Sequence, residues 1–137
     1  MSTSSSLPLD ALIQVNVFSN AALKLRQEGK HQEAIPLFAK VTSIIENIPD
    51  RSQLSLLRQV HSDSYWNLAT SYLETGNVAK AEFAYTRCLD LRKGSPSAEL
   101  EVLEKLVCVY DLLDKKEMAT NLTKRMAKVR AQLDSEA

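Results

Sequence analysis

Apolar residues recur every three or four positions along almost the whole chain, and glycine or proline breaks that rhythm at only a few places. Such spacing is the helical period, with one stripe turned inward. The first stripe runs through Leu9, Ile13, Val17, Ala21 and Leu25 to Gly29, a residue suited to the left-handed turn after a helix. A second follows through Ala34, Phe38, Val41, Ile45 and Ile48. Pro36 is expected near its first turn, where amide hydrogens lack partners anyway, and Pro49 and Asp50 close it. The third segment is long: Leu54, Leu57, His61, Tyr65, Leu68 and Tyr72 run unbroken to Gly76. Asn77 is placed to cap a fourth helix, whose inward set is Val78, Ala81, Tyr85, Cys88 and Leu91. Gly94, Ser95 and Pro96 then read as a glycine stop, a serine N-cap and a proline at a first helical position. The fifth helix carries Leu100, Leu103, Leu106, Tyr110 and Leu113. The sixth carries Ala119, Leu122, Met126, Val129 and Leu133 before fraying into a polar tail. Short connections make successive helices antiparallel neighbours. A plain bundle would satisfy this pattern equally well.

An internal repeat separates a bundle from a stack of hairpins. The first helical pair reads Phe18, Ala21, Ala22, Leu25, Gly29, Ala34 and Phe38. The second reads Tyr65, Leu68, Ala69, Tyr72, Gly76, Ala81 and Tyr85. The third reads Leu103, Leu106, Val107, Tyr110, Asp114, Ala119 and Thr123. Small residues at matching places let paired helices approach closely, and the turn glycine reverses the chain with no β-carbon in the way. The series resembles the tetratricopeptide repeat family over roughly residues 12–130. The middle unit, with Tyr65-Trp66-Asn67-Leu68-Ala69, matches almost every signature position, whereas the third has Asp114 for the glycine and Thr123 for the aromatic. Drift in terminal repeats is expected, because their outer faces see water. Gly29 and Gly76 lie 47 residues apart and Ala81 and Ala119 lie 38 apart, against about 34 for the family. The stretched middle is similar to longer-period members such as the kinesin light chains. The expected fold is all-α: an α-solenoid of three antiparallel helix pairs, about 9–48, 51–93 and 96–134, within one domain of residues 8–134.

In this family the first helix of each pair lines a concave groove that holds a peptide or helix of another protein. Carried over by position, the resemblance implies Asn16, Ser19, Asn20, Leu23, Arg26 and Gln27 from the first pair. The second supplies Asp63, Trp66, Asn67, Thr70, Leu73 and Glu74. The third supplies Glu101, Glu104, Lys105, Cys108, Asp111 and Leu112. Asn20 and Asn67 are equivalent, and an asparagine there grips a ligand backbone with its amide. Trp66 either presents a rigid contact surface or packs against the neighbouring first helix. The co-chaperone clamp for a heat-shock protein's C-terminal carboxylate fits poorly. Asn67 and Lys105 suit it, but Ser19 and Leu23 stand where Lys and Asn are needed, and Glu101 replaces the second lysine. Five carboxylates, Asp63, Glu74, Glu101, Glu104 and Asp111, favour a neutral or basic ligand if all face one groove.

Charge and cysteine usage narrow the remaining classes. Seventeen basic and seventeen acidic side chains cancel, which argues against a polyanion as main partner. Lys115, Lys116, Lys124, Arg125, Lys128 and Arg130 cluster near the last helix and leave open an anion- or nucleic-acid-binding alternative, although no aromatics alternate with them. Cys88 and Cys108 form no CxxC pair, so a reducing compartment is the simpler expectation. Met1–Leu7 is read as a disordered Ser/Thr leader without signal-peptide character, and no apolar run approaches a membrane span of about 20 residues. These features lead to the expectation of a soluble, cytoplasmic protein. His31 and His61 belong to no metal pattern, Cys88 reads as core, and Cys108 has no histidine near it in sequence. No cofactor and no catalysis are expected. The expected role is an adaptor or scaffold that binds another protein, with self-association as a structural subunit the main alternative.

Overall fold

The computed structural model describes residues 8–49 and 55–136. The leader expected over residues 1–7, Asp50, Leu54 and the start of the second pair at residue 51 lie outside the described residues. Among the described residues six helices follow one another: α1 (Leu9–Gln27), α2 (His31–Glu46), α3 (Ser55–Glu74), α4 (Val78–Leu91), α5 (Pro96–Leu112) and α6 (Lys116–Glu136). Each packs on its neighbours in sequence, giving hairpins α1–α2, α3–α4 and α5–α6 joined through α2–α3 and α4–α5 contacts. This all-helical, sequential stacking fits an α-solenoid.

The turns within the hairpins repeat the same hydrogen bonds. The amides of Lys30, Asn77 and Lys115 each donate to the carbonyl five residues back, on Leu25, Tyr72 and Tyr110, at 2.8 Å every time. Gly29, Gly76 and Asp114 precede them with φ of 78°, 82° and 57°. This is the helix-terminating left-handed turn. The third hairpin, whose glycine is replaced, therefore keeps the geometry of the other two.

A large core cluster runs through all three hairpins and includes Phe38, Tyr65, Ala69, Tyr85, Cys88, Leu103, Leu106 and Met126. Val15, Val41 and Ile45 form a smaller cluster at the far end of the first hairpin. The inward stripes expected for α2 and α4–α6 are buried or half-buried, as are the described members of the α3 stripe. The stripe expected for α1 is not. Leu9, Ile13 and Val17 are exposed, and α1 instead buries Val15 and Ala22, with Phe18 and Leu25 half-buried. The helix carries two apolar stripes, and the one containing the small Ala22 is the one that meets α2 closely.

Three local expectations also change. Because α2 starts at His31, Pro36 lies in its second turn, where it removes a helical hydrogen bond, though its ring stays exposed. Asn77 and Ser95 occupy N-cap positions, but neither side chain makes a capping bond. At the second break Glu99 of the first turn accepts from the Gly94 amide at 3.0 Å, tying the preceding turn to α5. The tail does not fray at residue 134, since α6 continues to Glu136.

Candidate protein-binding face

The repeat register turns the three first helices into rows of equivalent side chains. Asn16, Asp63 and Glu101 form one row. Asn20, Asn67 and Lys105 form another. Leu23, Thr70 and Cys108 make a third, and Gln27, Glu74 and Leu112 a fourth. Every one of these residues is exposed or half-buried. The rows are thus open to a ligand, although several members already have partners.

Arg26 reaches from α1 to α3, donating from Nη1 to Oδ1 of Asn67 at 3.1 Å, while its guanidinium rests over Phe38. The bond fixes the Asn67 amide and uses its side-chain oxygen, so a ligand would meet mainly the Nδ2 donor. Asn20, its counterpart, is exposed and accepts no such strut. It donates to Asn16 at 3.4 Å. Thr70 bonds the Trp66 carbonyl at 2.9 Å and shares a hydrogen bond with the Tyr85 hydroxyl at 3.1 Å. Burial pushes the Tyr85 phenol above its usual range, so the ring acts as a neutral packing element. Trp66 is half-buried and stacks edge-on against Tyr85 at 5.5 Å. One packing partner is therefore the second helix of its own hairpin.

Arg92, which sequence reasoning missed, reorganises the acidic row. Its guanidinium lies over Trp66 at 5.0 Å and pairs with Asp63 at 3.7 Å and Glu101 at 3.1 Å. It also donates to Ser62 Oγ and to the Ala98 carbonyl. Only 13% of its side chain is exposed, but Asp63 and Glu101 are 52% and 65% exposed, so solvent screens the two ion pairs. Burial raises the Asp63 carboxyl above its ordinary value, and the charge of Arg92 offsets only part of that. Glu104 in turn pairs with Arg130 at 3.3 Å. Of the five carboxylates expected on this face, Glu74 and Asp111 meet no basic side chain within ion-pair distance among the described residues. Asp111 leans toward α6, where it lines a shallow depression with Lys116 and Lys124. The acidity of the face is smaller than its composition implies.

The basic C-terminal cluster is similarly reduced. Lys115, Arg125 and Arg130 pair with Glu82, Glu99 and Glu104 at 3.1–3.3 Å. Lys116, Lys124 and Lys128 remain as surface cations with no ion pair among the described residues.

Away from the face, Glu46 at the end of α2 receives hydrogen bonds from His61 Nε2 at 3.0 Å and from the Tyr65 hydroxyl, with Arg87 of α4 at 3.7 Å. Burial works against its charge, but those bonds and the neighbouring cations outweigh it and hold the carboxyl below its usual value. Three helices meet at this carboxylate. No sequence motif announced it. His31 opens α2 half-buried, its Nδ1 enclosed with no hydrogen-bond partner among the described residues. Burial raises the Cys88 thiol, which leaves it a core residue of low nucleophilicity. Cys108 is free and exposed. Among the described residues no group of three or more His, Cys, Asp or Glu side chains is placed to hold a metal ion. Among the described residues no helix is long and apolar enough to cross a membrane.

No curated protein matches the chain. Residues 62–94 match the family model described as Tetratricopeptide repeat. The matched stretch is the hairpin running from Ser62 in α3 through α4 to Gly94, which also carries the strongest internal repeat. With the same turn geometry before and after it, the middle hairpin matches the tetratricopeptide repeat and is set among six helices that stack as three hairpins in the described residues.

Proposed function

We propose that the chain is a non-catalytic protein-interaction module that seats a peptide or helix of a partner across the rows of α1, α3 and α5. Tetratricopeptide repeats generally mediate contacts between proteins. The observation that carries the reading is the arrangement around Asn67. A bond from Arg26 fixes its amide, and Lys105, its counterpart in the repeat register, and Cys108 are exposed on α5. A fixed amide donor binds with less ordering cost than a mobile one. The ligand favoured is a neutral or mildly basic segment. Glu74 supports this, whereas Glu101 and Asp63 are shared with Arg92. A heat-shock carboxylate terminus remains disfavoured by Glu101.

Trp66→Ala is a poor probe, because it would remove packing from Tyr85 as well as any contact. The better test starts by capturing proteins from lysate on the wild-type chain and identifying them. Each is then titrated against Lys105→Glu/Cys108→Arg and, separately, against Lys124→Glu/Lys128→Glu. The expected result is at least about a tenfold loss with the first pair and little change with the second, since truncating central contacts typically costs 1–2 kcal/mol or more. Circular dichroism should show both variants as helical as the wild type. Loss only with the second pair would move the binding surface to α6, and loss with neither would remove the groove reading.

A further inference from the structure

The positions by which a first helix meets the hairpin before it have one register in all three units. In α3 they are Val60, Ser64, Leu68 and Ser71. Ser64 takes a hydrogen bond from Thr42 of α2 at 3.1 Å, and Val60 packs with Val41 and Ile45. In α5 they are Ala98, Val102, Leu106 and Val109, set against α4. Ser64, Leu68, Ser71, Val102, Leu106 and Val109 are all buried. The equivalents in α1 are Ile13, Val17, Ala21 and Lys24, and all four are exposed. Ile13 is 61% exposed and Val17 57%, with Leu9 beside them at 63%. A surface that is core in the other two hairpins thus stands open on the first, and it is apolar.

The opposite edge does not complement it. The α6 residues equivalent to Phe38, Thr42 and Ile45 of α2 are Thr123, Ala127 and Arg130, and all are exposed. Seating them on α1 would set Thr123 and the Arg130–Glu104 ion pair against Ile13 and Val17, desolvating charge over an apolar face, so head-to-tail stacking of copies is disfavoured. The α1 edge is instead self-complementary. Asp10 and Lys24 are both exposed and lie seven residues to either side of Val17. An antiparallel pair of α1 helices with its two-fold axis at Val17 sets Val17 on Val17 and Ile13 against Ala21. It also brings Asp10 of each copy to Lys24 of the other.

We propose that the chain forms a two-fold dimer through α1, with a second copy as the occupant of the Ile13–Val17–Ala21 face. The edge borders the partner-binding face at Asn20, seven residues from Ile13, but Asp10, Val17 and Lys24 belong to none of its rows, so variants at those three test the dimer separately from partner binding. Sedimentation equilibrium at low ionic strength tests it, with circular dichroism on every variant to confirm the fold. Wild type should approach twice the 15.3 kDa chain mass as concentration rises, and Val17→Arg should remain at the chain mass. Asp10→Lys and Lys24→Asp should each weaken association about tenfold by opposing like charges at two sites. The combined Asp10→Lys/Lys24→Asp chain should recover it, because the pairs are rebuilt with signs exchanged. Wild type staying at the monomer mass up to several hundred micromolar would overturn the proposal. So would a dimer indifferent to Val17→Arg, or a charge-swapped chain no better than the single variants.

Discussion

Asp114 shows how little of a repeat signature needs to be literal. Its φ of 57° and the Lys115-to-Tyr110 bond at 2.8 Å reproduce the turns at Gly29 and Gly76. Asp tolerates the left-handed region better than most side chains do, yet still at some cost. An ideal Cβ added at Gly76 meets nothing within 4 Å. Any penalty for Gly76→Ala is therefore conformational, not steric. We expect that substitution to destabilise by about 1 kcal/mol. Asp114→Gly should move the other way by about 0.5 kcal/mol, because relief of the left-handed strain slightly exceeds the extra freedom of the unfolded chain. Urea midpoints of the two variants decide the matter. A neutral Gly76→Ala would mean that the turn relaxes out of the left-handed region.

Between elements, the polar joints are what the sequence concealed. The apolar stripes of α2 to α6 were legible because each of those helices has one dominant inward face. In α1 two stripes compete, Leu9–Ile13–Val17 and Val15–Phe18–Ala22, and periodicity alone cannot say which meets α2. The candidate face was legible only as far as the register that lines up Asn16 with Asp63 and Asn67 with Lys105. The arginines that reshape it have partners 30 and 41 residues away, Ser62 for Arg92 and Asn67 for Arg26. No local pattern encodes such pairs. Glu46 is a joint of the same kind, tying α2 to His61 and Tyr65 of α3 and to Arg87 of α4. Its carboxyl is held below the ordinary value in the folded chain. The stabilisation it supplies is therefore present above the unfolded-chain value of about 4.3 and is lost as pH falls through the lower folded value. Glu46→Gln should cost about 1 kcal/mol at pH 7, a figure reduced for the third of the side chain that solvent reaches. Urea unfolding of both chains at pH 7 and at pH 3 should show the gap narrowing in acid. A gap of constant size would mean that the lost bonds, not the charge, set the cost.

Across the whole molecule, stability in a stack of hairpins is a sum of local terms and nearest-neighbour seams, so the two ends need not be equally firm. Both seams here, α2–α3 and α4–α5, feed the large cluster that reaches from Ala22 to Val129. The N-terminal half of α1 depends instead on the small Val15–Val41–Ile45 cluster, and its far side faces water through Ile13 and Val17. Opening the first turns of α1 exposes little that is not already wet. Opening α4 exposes Tyr85 and Cys88, both fully enclosed. Native-state hydrogen exchange on dilute protein should therefore find amides of residues 9–18 exchanging at least about tenfold faster than those of α4, a difference of about 1.4 kcal/mol in opening free energy. Uniform protection across the chain would mean that the first hairpin unfolds only with the rest and that the stack behaves as one cooperative block. Repeating the measurement at high concentration joins this scale to the proposed dimer. A second copy seated on Val17 should raise protection in residues 9–18 and leave α4 unchanged, because an interface stabilises first the segment that opens most readily.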